Sequence, residues 1–118
     1  MKGNKMSFKV VEELRSLDPS VIINSLEDAR ELLIDDGLTL EESINLMDNY
    51  SDPVWVNNRE SLLNTINSVK LEWDQNNQVL TRTFIFADEE LYFDYRSMTG
   101  EVFSNAPRNM EIIAFEEV

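Results

Sequence analysis

Hydrophobic residues recur every three to four positions through the first half of the chain, the spacing of one helix face. Phe8, Val11 and Leu14 begin this pattern, and Pro19 supplies a new helix start after Asp18. Ser25 is a second possible N-cap, so the second helix begins either at Pro19 or after Ser25. The pattern predicts four helices, over residues 8–17, 19–36, 39–50 and 58–68.

Capping residues support these helix ends. Gly37 is suited to the left-handed position that follows a helix. Thr39 with Glu42 three residues later forms a capping box, in which each side chain bonds the other residue's backbone N–H. Asn57 with Glu60 has the same spacing. The helices at 39–50 and 58–68 therefore each have a sequence-encoded start.

The hydrophobic period changes to two after Ser68, which is typical of half-buried strands. Leu71 and Trp73 alternate with charged residues, and asparagines in the segment that follows suit a tight turn. The alternation predicts three to five strands, over residues 69–74, 78–87, 90–96, 101–104 and 110–117.

Helices followed by strands indicate an α+β fold, with N-terminal helices packed on a C-terminal antiparallel β-meander. The 118 residues suit one domain, over residues 7–118, after a flexible tail at 1–6. The start of the chain lacks the apolar segment of a signal peptide, and no apolar run is long enough to span a bilayer. We therefore expect a cytoplasmic protein, in the host cytoplasm if a phage encodes it.

Composition excludes much chemistry. The chain has no cysteine and no histidine, which removes thiolate ligands and the commonest general base. Its three glycines form no phosphate-binding loop, and no acidic segment has the spacing of a calcium loop. The sequence therefore predicts a protein that is not an enzyme and has no cofactor or metal. An enzyme that uses only carboxylates is the alternative. It would need acidic residues from distant segments to cluster and to have raised pKa values.

Charge is the strongest bulk signal, because 23 acidic residues against ten basic ones give a net charge of −13. Residues 25–50 hold eight acids against Arg30 alone. This segment has the outline of a DNA-reading helix-turn-helix, but its charge would repel phosphate. Strand aromatics could stack on RNA bases, yet few arginines accompany them, so a core covered by helices is the preferred interpretation. No direct nucleic-acid or membrane binding is expected.

Acidic rows at helical spacing, including Glu27, Glu31 and Asp35, predict a surface that attracts a basic protein partner. Trp55 lies in a predicted loop and could be either a core plug or an exposed anchor. We expect an inhibitor or decoy, a DNA mimic, that occupies the basic surface of a nuclease or other nucleic-acid-binding protein. Phage anti-defence proteins (anti-CRISPR or anti-restriction) and immunity or antitoxin proteins share this physics. The predicted partner-binding residues are Glu27, Glu31, Asp35, Asp36, Glu41, Glu42, Asp48, Asp52, Trp55, Asp88, Glu89 and Glu90.

An alternative function uses apolar contacts, with the acidity serving only solubility. The chain would then be an accessory interaction or oligomerisation protein. Its interface would lie around Trp55 with Val54 and Val56, or at a strand edge from Ile112 to Phe115.

Overall fold

The structure, a computed structural model, describes residues 7–34, 39–102 and 108–118. Helices and strands are interleaved in these ranges instead of forming two separate blocks. In chain order the elements are β1 (Phe8–Ser16), α1 (Leu26–Leu33), α2 (Leu40–Tyr50), α3 (Pro53–Ser68), β2 (Lys70–Asp74), β3 (Val79–Phe86), α4 (Glu89–Val102) and β4 (Arg108–Glu117).

The four strands form one antiparallel sheet in the order β2-β3-β1-β4. The first strand, β1, therefore lies in the interior of the sheet, and the last strand returns to pair with it. Val10 stands opposite Phe84 of β3 on one side and Phe115 of β4 on the other. This long-range pairing joins the two ends of the chain.

The sheet has one covered face and one open face, as expected for a two-layer fold. Residues such as Phe8, Val10 and Leu14 are buried on the covered face, where the helices pack. Lys9 and Glu13 alternate with them on the open face and are only half-buried. The strand period of two thus separates a core side from a side on which no described helix packs.

The core under the helices consists of two apolar clusters. The larger joins Phe84 and Phe86 of β3 to Trp55 of α3 and Tyr92 of α4. The smaller joins β1 and β3 to α1, and its buried members are Leu14, Ile23, Ala29, Leu33 and Leu80.

The predicted order of helices first and meander afterwards is wrong, and the first element shows why. Residues 8–17 were expected to form a helix, whereas Phe8–Ser16 is strand β1. The buried positions alternate, but one of them is Glu12, which is completely buried. This charged residue interrupts the alternation of apolar residues that would have indicated a strand. The helical spacing of Phe8 and Leu14 with Val11 was therefore the more visible pattern, and it led to the wrong prediction of a helix.

The predicted strand at 90–96 is also wrong, because Glu89–Val102 is helix α4. Among the described side chains of α4, Leu91, Tyr92 and Met98 are buried, a helical spacing, whereas Phe93 is 55% exposed. Asp88 accepts a hydrogen bond from the Leu91 backbone N–H at the start of the helix. The predicted strand at 101–104 overlaps the end of α4, and its last two residues lie outside the described ranges.

The predicted helix over 19–36 is shorter in the structure. Ser25 is the N-cap of α1, accepting a hydrogen bond from the Asp28 backbone N–H, and residues before it are not helical. The alternative with a cap at Ser25 is therefore the one observed. Gly37 lies outside the described residues, as does the predicted tail at 1–6.

Helix α3 begins earlier than the predicted 58–68. Asp52 caps it and Pro53 occupies its first turn, a pairing that favours a helix start. The backbone leaves helical geometry at Asn58, where a kink divides the element. The residues around Trp55, which were predicted to form a loop, therefore form the first turns of α3.

Local signals without such conflicts agree with the structure. Helix α2 has the predicted capping box between Thr39 and Glu42. Strands β2, β3 and β4 fall close to the ranges 69–74, 78–87 and 110–117. The predicted arrangement is wrong because β1 was expected to be a helix and α4 was expected to be a strand.

Replacement of Trp55 tests the revised position of this side chain. Its ring is 1% exposed in the larger cluster, so Trp55→Ala should lower the free energy of unfolding by about 3 kcal/mol or more. Val56, the next residue of α3, is 58% exposed, and Val56→Ala should change that energy by less than about 0.5 kcal/mol. Urea unfolding followed by circular dichroism measures both, and equal effects would contradict burial of Trp55.

Candidate functional site

A buried ionic cluster lies on the covered face of the sheet. The Glu12 carboxylate, which is fully buried, accepts a hydrogen bond at Oε1 from Arg82 Nε at 2.8 Å. Arg82 Nη2 lies 2.7 Å from the same oxygen. Because Glu12 and Arg82 stand directly opposite each other on β1 and β3, the strand register itself forms this pair.

Helix α4 supplies the other half of the cluster. Tyr92 Oη donates to Glu12 Oε2 at 3.1 Å, and Arg96 Nη1 donates to the same carboxylate oxygen at 3.1 Å. Arg96 Nη1 also donates to Tyr92 Oη at 2.7 Å. Tyr92 and Arg96 are four residues apart, so one helix face presents both groups to the strand below.

The arginines are held by further contacts. The Arg82 guanidinium carbon lies 4.7 Å from the centre of the Phe84 ring, and Arg82 Nη2 lies 3.8 Å from the Met110 sulfur. Arg96 lies 5.8 Å from the Tyr92 ring centre. Cation–π contact of this kind partly offsets the loss of water around a guanidinium.

This cluster has the features of a structural site. Among the described residues no buried side-chain oxygen or nitrogen lacks a hydrogen-bond partner. Glu12 has no exposed surface on which a substrate could reach it. A satisfied, closed network of this type fixes the packing of strand against helix, and it offers no group positioned for acid–base chemistry.

A surface cleft of about 230 Å³ lies elsewhere, at the end of β1 near the β2–β3 turn. Its lining includes Arg15, Asp18 and Gln78. Hydrogen bonds from the Ser20 hydroxyl and backbone N–H hold the pKa of Asp18 below its usual value. A single stabilised carboxylate beside an arginine does not make an acid–base pair, so the cleft gives no support to a carboxylate enzyme.

Sequence patterns did not identify this cluster. Glu12, Arg82, Tyr92 and Arg96 come from separated segments, and only strand pairing brings them together. The sequence did contain one signal. Among the alternate residues that are otherwise apolar, β1 has the charged residue Glu12 and β3 has the charged residue Arg82. Such a residue on a core face requires a buried partner of opposite charge.

Four of the predicted partner-binding acids have local roles. Glu42 completes the capping box of α2, and hydrogen bonds from the Thr39 backbone N–H and hydroxyl lower its pKa. Asp52 and Asp88 accept backbone N–H bonds at the starts of α3 and α4. Asp48 accepts from Arg59 Nε at 2.9 Å and from Trp55 Nε1 at 2.6 Å.

The remaining predicted acids in the described ranges are exposed at helix surfaces. Glu27 and Glu31 lie one turn apart on α1, and Glu41 lies in the first turn of α2. Glu89 and Glu90 form the first turn of α4. Asp35 and Asp36 lie outside the described residues. Trp55 is buried, so its ring is not available as an exposed anchor.

Charge is distributed unevenly between the two layers. Helix α1 has three acids and one arginine, α2 has three acids and no basic residue, and α4 has four acids and one arginine. Strand β1 has two acids and two basic residues, β3 has one arginine and no acid, and β2 and β4 together have five acids and two basic residues. The negative charge of the protein therefore lies mainly on the helical layer.

The open sheet face does not resemble an RNA-binding platform. Phe84, Phe86 and Tyr92 pack within the core under the helices. At the strand positions that the structure describes, the open face carries residues such as Lys9, Thr83 and Glu72 and no aromatic ring. Base stacking on this sheet would lack the ring surface that it needs.

Among the described side chains, no group of three or more acidic residues has the arrangement of a metal site. Within residues 7–34, 39–102 and 108–118, no helix has both the length and the apolar character needed to cross a bilayer. Comparison with protein families, characterised proteins and solved structures found no match to this chain.

Glu12→Gln tests the role of the buried cluster. The amide keeps the size of the side chain but removes the charge that compensates Arg82 and Arg96, so the free energy of unfolding should fall by about 3 kcal/mol. Glu13→Gln is the matched control, because its partner Arg15 is at 3.4 Å on the open face and half exposed. That control should cost less than about 1 kcal/mol. Equal losses in urea unfolding would exclude a special role for Glu12.

Tyr92 makes the free energy of unfolding depend on pH. Burial, and then the negative charge of Glu12, raise the pKa of Tyr92 to about 12. An unfolded tyrosine ionises near pH 10. Between about pH 10 and pH 12 the folded state therefore binds more protons than the unfolded state, and stability falls as pH rises.

The measurement is the free energy of unfolding as a function of pH for wild type and Tyr92→Phe. The variant lacks the phenol, so its stability should fall less steeply across this window, although it starts from a lower value. Parallel curves for the two proteins would contradict the raised pKa of Tyr92. The other tyrosines remain in both proteins and cancel in the comparison.

Proposed function

We propose that this protein is a small, non-enzymatic inhibitor or decoy whose acidic helical layer binds the basic surface of a nucleic-acid-handling protein. A nuclease is the partner class that fits best, as in anti-defence proteins of phages or in immunity and antitoxin proteins. The observation that carries the proposal is the segregation of acidic residues on the helical layer.

The exposed carboxylates of α1 support this proposal. Glu27 and Glu31 are separated by four residues, a rise of about 6 Å along the helix. Like charges at this spacing repel each other and cost a few tenths of a kcal/mol per pair. Glu27, in the first turn, suits the helix dipole, but its repulsion with Glu31 does not stabilise the helix, which favours a role in recognition.

Helices α2 and α4 extend the same property. Glu41, Glu89 and Glu90 are exposed, and they lie in first turns, where negative charge also suits the helix dipole. The helix dipole therefore explains in part why acidic residues occupy these three positions. Glu31, beyond the first turn of α1, lacks that explanation and is the most informative residue to change.

Electrostatics determines how such a surface would act. A net charge of −13 attracts a basic partner at long range and speeds association. Salt screens this attraction, with a Debye length of about 10 Å at 0.1 M. The protein would therefore compete with nucleic acid, because both would bind the same basic groove of the partner.

Capture experiments with paired charge reversals test the proposal. The full chain is immobilised and exposed to extract of its source cells at low and high salt, and bound proteins are identified by mass. A basic nucleic-acid-binding protein should bind at low salt and be lost at high salt. Glu31→Lys with Glu41→Lys should reduce its binding at least about tenfold, a change of about 1.4 kcal/mol.

The matched control reverses two carboxylates of the open sheet face, Glu13→Lys with Glu72→Lys. It changes the net charge by the same amount but leaves the helical layer intact. Glu13 stands opposite Glu111 of β4, so a lysine there gains an acidic neighbour, which offsets the loss of the exposed pair with Arg15. Equal loss of binding in both double variants would show that net charge, not the helical layer, attracts the partner. Binding that is unchanged by salt would refute the proposal.

A second candidate function is association through apolar contacts at a strand edge. Burial of Trp55 removes one of its two proposed interfaces. The other is favoured by one observation: Ile112 and Ile113 of the edge strand β4 are 43% and 49% exposed.

A further inference from the structure

Strand β4 is an edge strand with an unpaired side. It has ten residues and pairs with β1, and among the described residues no other strand pairs with it. Its apolar residues Ile112 and Ile113 are exposed near the middle of the strand. A long edge with exposed apolar residues is a template for pairing with another strand.

A β-bulge gives this edge an unusual symmetry. The β1–β4 register shifts between Val11 and Glu12, and this shift leaves Ile113 as the extra residue of β4. Before the bulge the even-numbered residues share the covered face of the sheet, and after it the odd-numbered residues do. The covered-face positions are therefore 108, 110, 112, 115 and 117, and the open-face positions are 109, 111, 114 and 116.

These positions are symmetric about the midpoint between Ile112 and Ile113. An antiparallel pairing of β4 with a second β4 about that midpoint aligns all ten residues. Met110 then stands opposite Phe115 of the second copy on the covered face, and Glu111 stands opposite Ala114 of the second copy on the open face. Outside the Ile112–Ile113 pair at the axis, where Ile113 is the extra residue of the bulge, every residue meets one from the same face of the sheet, as a continuous sheet requires.

Charge also favours this register. The three glutamates of the strand, Glu111, Glu116 and Glu117, each stand opposite a residue of the second copy that carries no negative charge. No like charges stand directly opposite each other. A shift by two residues in one direction would instead place Glu111 opposite Glu116, which is destabilising.

We propose that two copies of this chain associate through their β4 edges about a two-fold axis between Ile112 and Ile113. The two sheets then form one antiparallel sheet of eight strands, in an isologous interface. Main-chain hydrogen bonds supply the attraction, and the exposed isoleucines are covered at the axis. Both helical layers lie on the same side, so the dimer would present two acidic surfaces together.

Sedimentation of the full chain over a range of concentrations tests this dimer. Ile113→Lys places a lysine from each copy beside the axis and should weaken dimerisation roughly tenfold or more. The matched control is Val56→Lys on α3, which makes the same charge change at an exposed apolar residue. Because the chain is strongly negative, both lysines reduce the general repulsion between copies, and only the first should disrupt the dimer.

Cysteine cross-linking tests the register, since the chain has no cysteine of its own. Glu111→Cys and Ala114→Cys are prepared separately and then mixed under oxidation. Opposite residues of antiparallel strands lie close enough for a disulfide. The mixture should yield a covalent dimer that contains one chain of each variant, in several-fold excess over the dimers formed by either variant alone.

A chain that stays monomeric at every concentration would overturn the proposal. So would a dimer that Val56→Lys disrupts and Ile113→Lys does not, or cross-links formed equally by each cysteine variant alone. The dimer is independent of the proposed partner, since Glu31→Lys with Glu41→Lys should leave it intact. Failure of the partner experiment would therefore not affect the dimer, and failure of the dimer would not affect partner binding.

Discussion

The ion pair between Glu12 and Arg82, completed by Tyr92 and Arg96, is the interaction on which the architecture depends. It joins the interior strand β1 to β3 and both to helix α4. It also contacts Met110 of β4 through Arg82. A buried carboxylate is costly unless several charged hydrogen bonds compensate it. That requirement leaves few ways to place α4 over the sheet, so the cluster specifies the arrangement in addition to any net stability that it contributes.

The division of the protein into two layers also divides its chemistry. Apolar strand residues face the helices, and the open face carries alternating charges such as the Lys9–Glu116 pair at 3.7 Å. The helices carry most of the negative charge on their outer surfaces. We therefore propose long-range attraction on the helical side and short-range pairing at the backbone edge of β4. The two proposed surfaces differ in physical basis, and a protein can use both without conflict.

Local signals in the sequence were reliable where a few neighbouring residues decide the outcome. Thr39 and Glu42 form their capping box whatever the rest of the chain does, and the alternation of Leu71 and Trp73 yields β2. The same rules failed at Glu12 and around Tyr92, where contacts far apart in sequence overrule the local pattern. The acidic candidates divide similarly: Glu31 is an exposed charge, whereas Asp48 is held by Arg59 and Trp55. Side-chain partners of this kind cannot be read from spacing.

The sequence by itself determined the acidity of the protein, the absence of cysteine and histidine chemistry, and several helix caps and strands. Each of these is a property of composition or of residues within one turn of each other. Only the tertiary structure decided that β1 is an interior strand, that Glu12 is buried, and that Trp55 belongs to the core. It also decided that β4 is an edge strand of the sheet that the described residues form, with a bulge near its middle. These features depend on pairing between the two ends of the chain, and no local pattern encodes which distant residue satisfies a buried charge.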